Sequence, residues 1–134
     1  MTDRELLNLA IKARGNSYAP YSNYAVGAAL LTLDGKIYLG SNVENASFGA
    51  TMCAERTALF SAVSAGERSF AAIAIAGGTV GQKAEINCTP CGMCLQVMSE
   101  FFTPNTPVIL GTEDTLKVVP FGNLFPNTFS LPQE

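Results

Sequence analysis

Three adjoining stretches decide the fold: Tyr24-Ala25-Val26-Gly27-Ala28-Ala29-Leu30-Leu31-Thr32, the turn Leu33-Asp34-Gly35, and Lys36-Ile37-Tyr38-Leu39-Gly40-Ser41-Asn42-Val43. Two β-rich runs separated by a short segment ending in Asp-Gly read as a hairpin, so the first two strands are expected to be antiparallel neighbours. Toward the N-terminus, Thr2 with Glu5 three residues on forms a capping-box pattern. Leu6, Leu9, Ala10 and Ala13 then share one helical face, and Gly15 ends the helix. Toward the C-terminus, a loop over Glu44 to Ala50 leads to Thr51, a suitable N-cap for a helix from Met52 to Ala65 closed by Gly66. The apolar run Phe70 to Ala76 reads as a buried strand. Gly77 to Gln82 lacks the Gly-Lys-Ser/Thr ending of a phosphate loop and reads as a connection. Thr89 caps a second helix, with Pro90 at its first position, running to about Phe102, and strands follow near Val108 to Gly111 and Leu116 to Pro120. The expected fold is α/β, a three-layer α/β/α arrangement on a mixed five-stranded sheet, with residues 1–134 as a single domain.

Composition narrows the function classes. With 134 residues, 48% of them apolar and 14% charged, the chain can bury one core but not two. The net charge is −3 and the eight Lys and Arg residues are scattered, which argues against a nucleic-acid partner. The longest apolar stretches, such as Val26 to Leu33, fall short of the roughly 20 residues that cross a bilayer, and Met1-Thr2-Asp3-Arg4-Glu5 is polar, so a cytoplasmic protein without a membrane partner is expected. The tail crowds Phe121, Leu124, Phe125 and Phe129 into a Pro- and Asn-rich segment, and such side chains must dock somewhere.

The four cysteines lie between positions 53 and 94, a spacing suited to metal or redox chemistry rather than a disulfide framework. With Thr51 and Thr89 as N-caps, Cys53 and Cys91 each fall at the second position of a helix, among unpaired N–H groups that favour thiolates. Cys94 follows Cys91 by three residues, on the same helical face. The chain has no histidine, so a metal centre must be built of sulfur, and zinc is the natural occupant. Three protein ligands leave a fourth tetrahedral position for water, whereas a fourth sulfur would close the ion off. Cys88 is the candidate for that fourth sulfur. It precedes the helix in extended chain, and a small buried apolar role suits it better. Glu55, two residues after Cys53, either shuttles protons at the metal or merely favours the helix dipole.

Cys53-Ala54-Glu55-Arg56-Thr57-Ala58 and Thr89-Pro90-Cys91-Gly92-Met93-Cys94-Leu95-Gln96 match the ligand-x-Glu and Pro-Cys-x-x-Cys signatures of zinc deaminases. They resemble in particular the small homotetrameric cytidine deaminases. Pro20 to Leu30 and Asn42 to Gly49 extend the resemblance over most of the chain. It implies one Zn²⁺ per subunit on Cys53, Cys91 and Cys94, with Glu55 as proton carrier in the hydrolysis of cytidine or 2′-deoxycytidine to the uridine and ammonia. It also implies that Asn42 and Glu44 hold ribose hydroxyls, that Tyr24 packs near the base, that the backbone near Ala54 and Cys91 orients it, and that Arg56 offsets thiolate charge.

Phe125-Pro126-Asn127-Thr128-Phe129 resembles the family's Leu-Pro-x-x-Phe, whose last aromatic would enter a neighbouring subunit's site; a tail folded on its own core is the alternative. The main departure is Leu95, where the family usually carries arginine, and a missing cation there suggests tolerance of cytidines substituted on the exocyclic amine. A blasticidin-type or other aminopyrimidine deaminase is the nearest competing enzyme, and a structural zinc or redox protein the competing non-enzyme.

Overall fold

The Thr2 hydroxyl accepts the Glu5 backbone N–H at 3.1 Å while the Thr2 N–H donates to the Glu5 carboxylate at 2.7 Å, and this reciprocal cap starts helix α1 (Asp3–Ala13). The computed structural model describes residues 1–133. After α1 come β1 (Tyr24–Thr32), β2 (Ile37–Ser41), α2 (Ala54–Ser64), β3 (Phe70–Thr79), α3 (Gly92–Ser99), β4 (Pro107–Gly111), β5 (Leu116–Pro120) and a short α4 (Phe121–Leu124). The sheet runs β2-β1-β3-β4-β5, with β3 and β4 parallel and the other neighbours antiparallel.

Strand alternation divides the core into two layers. Ala29, Ala72, Ala74 and Ala76 face α1 with Leu6, Leu7 and Ala10. Larger side chains, Leu30, Ile73, Ile75, Val108 and Leu110, face α2 and α3 with Leu59, Cys94 and Met98. The mixed five-stranded sheet between α1 and the α2/α3 layer is the α/β/α fold expected. Small residues let the helices approach closely. A Cβ on Gly27 would collide with the Ala10 carbonyl, and one on Gly40 would collide with the Ala54 carbonyl and stand 2.5 Å from the Ala58 nitrogen. The contact at Gly40 seats the start of α2 on the edge strand.

Both helices that follow cysteine motifs begin later than the local pattern suggests. Cys53 and Cys91, not Thr51 and Thr89, are the N-cap residues, each in extended conformation. Residues 51 and 52 cannot join α2 because Met52 exchanges backbone hydrogen bonds with Val43, each at 2.9 Å. Strand β3 is longer than expected, since Gly77, Gly78 and Thr79 continue the ladder opposite Val26, Ala25 and Tyr24. The tail divides. Phe121, 2% exposed, packs edge-on against Phe102 and Phe125, while Phe129 is 63% exposed. Among the described residues no helix is long and apolar enough to cross a membrane.

Candidate active site

An N-cap side chain ordinarily accepts a hydrogen bond from its helix's first turn, but neither Cys53 nor Cys91 does so. Their sulfurs instead turn toward each other, 3.7 Å apart, and the Sγ atoms of Cys53, Cys91 and Cys94 all lie within 4.8 Å of one another. Tetrahedral zinc with Zn–S bonds of about 2.3 Å requires S···S distances of roughly 3.8 Å, so the three cysteines fit the ion. Cys94 is the third residue of α3, fully buried, and Cys91 caps the same helix. Cys88 lies outside the cluster, over Gly77 and beside the Tyr24 ring.

The Cys53 thiol is already polarised. A hydrogen bond from the Cys94 thiol, followed by the Arg56 guanidinium, lowers the Cys53 pKa to about 5, and the proton that Cys94 keeps raises its own. Arg56 Nη2 donates to Cys53 Sγ at 3.4 Å. Its Nε is buried without a hydrogen-bond partner, so the guanidinium is held here by the sulfurs. Glu55, 5% exposed, sits between Cys53 and Arg56 in the first turn of α2. Burial pushes its carboxyl up to about 7, and the nearby Cys53 thiolate also opposes its charge. A carboxyl that ionises near neutrality can both take and give a proton.

A cavity of about 390 Å³ opens above these groups, within the range that encloses a small ligand. Tyr24, Asn42, Glu44, Ala54, Glu55 and Cys91 are among its lining, as is Cys53. Ala54 is the first helical residue of α2, where N–H groups have no intrahelical acceptor. Asn42 is largely committed to the fold. Its Oδ1 accepts the Val26 N–H at 2.8 Å and its Nδ2 donates to the Tyr24 carbonyl at 2.8 Å, completing the stretch of β1 that extends beyond β2. Glu44 reaches the cavity from the next turn, its own N–H bound to the Tyr18 carbonyl. The Tyr24 hydroxyl donates to Glu85 at 3.3 Å, and burial holds it well above its usual range.

Leu95 and Phe129 stand apart from both the cavity and the sulfur cluster. Leu95 is half-buried against the α2/α3 core layer, and Phe129 lies on the surface with its carbonyl accepting from Gln96 at 3.1 Å. The cavity also includes Ser22, Val26, Thr51, Met52, Asn87 and Thr89, none assigned to the site from sequence, where Thr51 and Thr89 are expected only as helix caps. Ser22 could have been noticed inside the Pro20 to Leu30 stretch, although Glu44, to which its hydroxyl donates, lies in a separate loop.

The sequence model of the cytidine and deoxycytidylate deaminase zinc-binding region matches residues 1–110. A cytidine deaminase of Halalkalibacterium halodurans is 45% identical over 96% of this chain and 95% of its own length. A cytidine deaminase of Sporosarcina psychrophila is 44% identical over 97% and 93%. Among solved structures, the cytidine deaminase of Burkholderia pseudomallei superposes with a TM-score of 0.84 at 49% identity, covering 96% of this chain and all of the other. That of Mycobacterium tuberculosis gives 0.81 at 34%, covering 98% and 99%.

Proposed function

Since the chain belongs to the zinc-binding cytidine and deoxycytidylate deaminase family, we propose that it hydrolyses free cytidine and 2′-deoxycytidine to the corresponding uridine and ammonia. The observation that carries the proposal is Glu55, a buried carboxyl poised near neutrality on the wall of a cavity that Cys53 and Cys91, two of the three converging cysteines, also line.

Cys53, Cys91 and Cys94 would hold the ion, and three sulfurs rather than four leave a coordination position for chemistry. Zinc bound there supplies Lewis acidity that brings the pKa of water toward neutrality. Glu55 takes the proton from the attacking water and passes it to ring N3, so that oxygen bonds to C4. Glu55 then takes the remaining proton from the C4 hydroxyl and delivers it to the departing amine, so that C4=O forms as the C4–N bond breaks and ammonia leaves. The free N–H groups at the starts of α2 and α3 orient the base. Asn42 and Glu44 take the ribose hydroxyls, and Tyr24 forms an aromatic wall beside the base. Arg56 offsets the thiolate charge.

The reading extends to two finer points. Leu95 brings no cation to the sulfurs and does not line the cavity. Tolerance of substituted exocyclic amines would therefore come from altered sulfur electrostatics, with Cys88, Asn87 and Thr89 setting the room. The exposed Phe129 and Leu131 suit a homotetramer in which the tail of one subunit completes the site of another. A cytoplasmic location accords with free nucleosides as substrates.

The decisive experiment measures zinc per chain and the ultraviolet loss of cytidine in wild type and Glu55→Gln. We expect the variant to keep about one zinc while turnover falls by at least about a hundredfold. Unchanged turnover would exclude this function and leave a structural metal.

A further inference from the structure

Glu44 reaches the cavity already heavily engaged. Its Oε1 accepts two backbone N–H groups, from Tyr21 at 2.9 Å and Ser22 at 3.0 Å, and its Oε2 accepts the Ser22 hydroxyl. The same Ser22 oxygen accepts the Tyr24 N–H at 3.0 Å. One hydroxyl therefore ties the carboxylate on the sugar side to the strand that carries the aromatic wall. A carboxylate offers about four lone-pair positions. Three are filled from residues 21 and 22, and the fourth, on Oε2, is left for a ligand. Asn42 is similarly reduced, because one of its two amide hydrogens is spent on the Tyr24 carbonyl.

We infer that Ser22 is a positioning residue for sugar recognition, orienting Glu44 so that its carboxylate presents one acceptor to one hydroxyl of the nucleoside sugar. The inference rests on the reading that Glu44 meets the sugar. Without the Ser22 hydroxyl, Oε2 has two open positions and one fewer restraint on its orientation. The Tyr24 N–H loses its acceptor at the same time, so the base wall and the sugar acceptor no longer move as a unit. The loss should fall on binding of the hydroxylated sugar rather than on the bond-breaking step, which lies with Glu55 at the start of α2.

The test compares cytidine with 2′,3′-dideoxycytidine, which has neither ring hydroxyl, by steady-state kinetics in wild type, Ser22→Ala, Ser22→Thr and Glu44→Gln. We expect Glu44→Gln to abolish most of the preference for cytidine. Ser22→Ala should shrink that preference about tenfold, through KM, with kcat on cytidine changing less than about threefold. Ser22→Thr, which keeps the hydroxyl, should restore most of it. Should the alanine variant not fold, Ser22→Cys, close in size with a weaker donor, is expected to shift the ratio in the same direction. An equal loss on both substrates, or a loss in kcat alone, would make Ser22 a structural turn residue and overturn the inference. A preference that survives Glu44→Gln would instead remove the sugar reading of Glu44 and the inference with it.

Discussion

Arg56 turns its guanidinium back along the first turn of α2 to donate to Cys53 Sγ at 3.4 Å, while its Nε stays buried with no partner. A buried cation is retained at such cost only where it meets negative charge. Three thiolates around a divalent ion would carry a net negative charge, and Arg56 would be the cation that meets it. Arg56→Gln should weaken zinc binding by about 10- to 100-fold, measured by competition with a chromogenic chelator. An unchanged affinity would mean that the guanidinium serves packing alone.

Leu95 follows Cys94 on α3 and brings no charge of its own there. Introducing arginine in Leu95→Arg would add a second cation near the sulfurs and remove apolar contact with the α2/α3 core layer. Zinc retention should rise, and acceptance of cytidines substituted on the exocyclic amine should fall relative to cytidine itself. Relative kcat/KM values across such substrates give the measurement, and an unaltered range would sink the link between Leu95 and substrate tolerance.

The seat of α2 on Gly40 offers a purely steric prediction. A Cβ there meets backbone atoms of Ala54 and Ala58, which cannot move unless the helix start moves too. Gly40→Ala should destabilise the fold by about 1–3 kcal/mol and lower zinc content, because Cys53 and Glu55 travel with that turn. Gly92→Ala is the control. It lies in the first turn of α3 with open space around its would-be Cβ, and should leave both the melting temperature and the metal nearly unaltered.

Much of this architecture is legible locally. The capping box at Thr2 and Glu5, the bounds of β1 and β5, and the two cysteine motifs all follow from residues near one another in the chain. The start of α2 was not legible, because what holds Met52 extended is Val43, in a different loop. The same limit explains Ser22. A serine before Asn23, which adopts φ 58°, reads as a turn former, and its bond to Glu44 spans 22 positions. The tail was half legible: its apolar content demanded docking, but only three-dimensional packing separates Phe121, buried on Phe102, from Phe129, left outside.

Cys88 supplies the pH prediction. Burial pushes its thiol up to about 11, with the charges of Glu55 and Glu85 acting the same way and Arg14 and the Tyr24 hydroxyl acting against them. An unfolded cysteine titrates near 8.5, so between roughly pH 8.5 and 11 the folded chain holds a proton that the unfolded chain has lost. The stability this contributes is fully present below pH 8.5 and disappears as pH rises through 11. Wild type should therefore lose on the order of 1–2 kcal/mol more than Cys88→Ala between pH 8 and 11, allowing for the thiol's partial exposure. Urea unfolding of the zinc-loaded proteins at the two pH values measures the difference. Parallel losses in the two proteins would show that Cys88 ionises as freely in the folded chain as in the unfolded one, which its place against Gly77 and Tyr24 argues against.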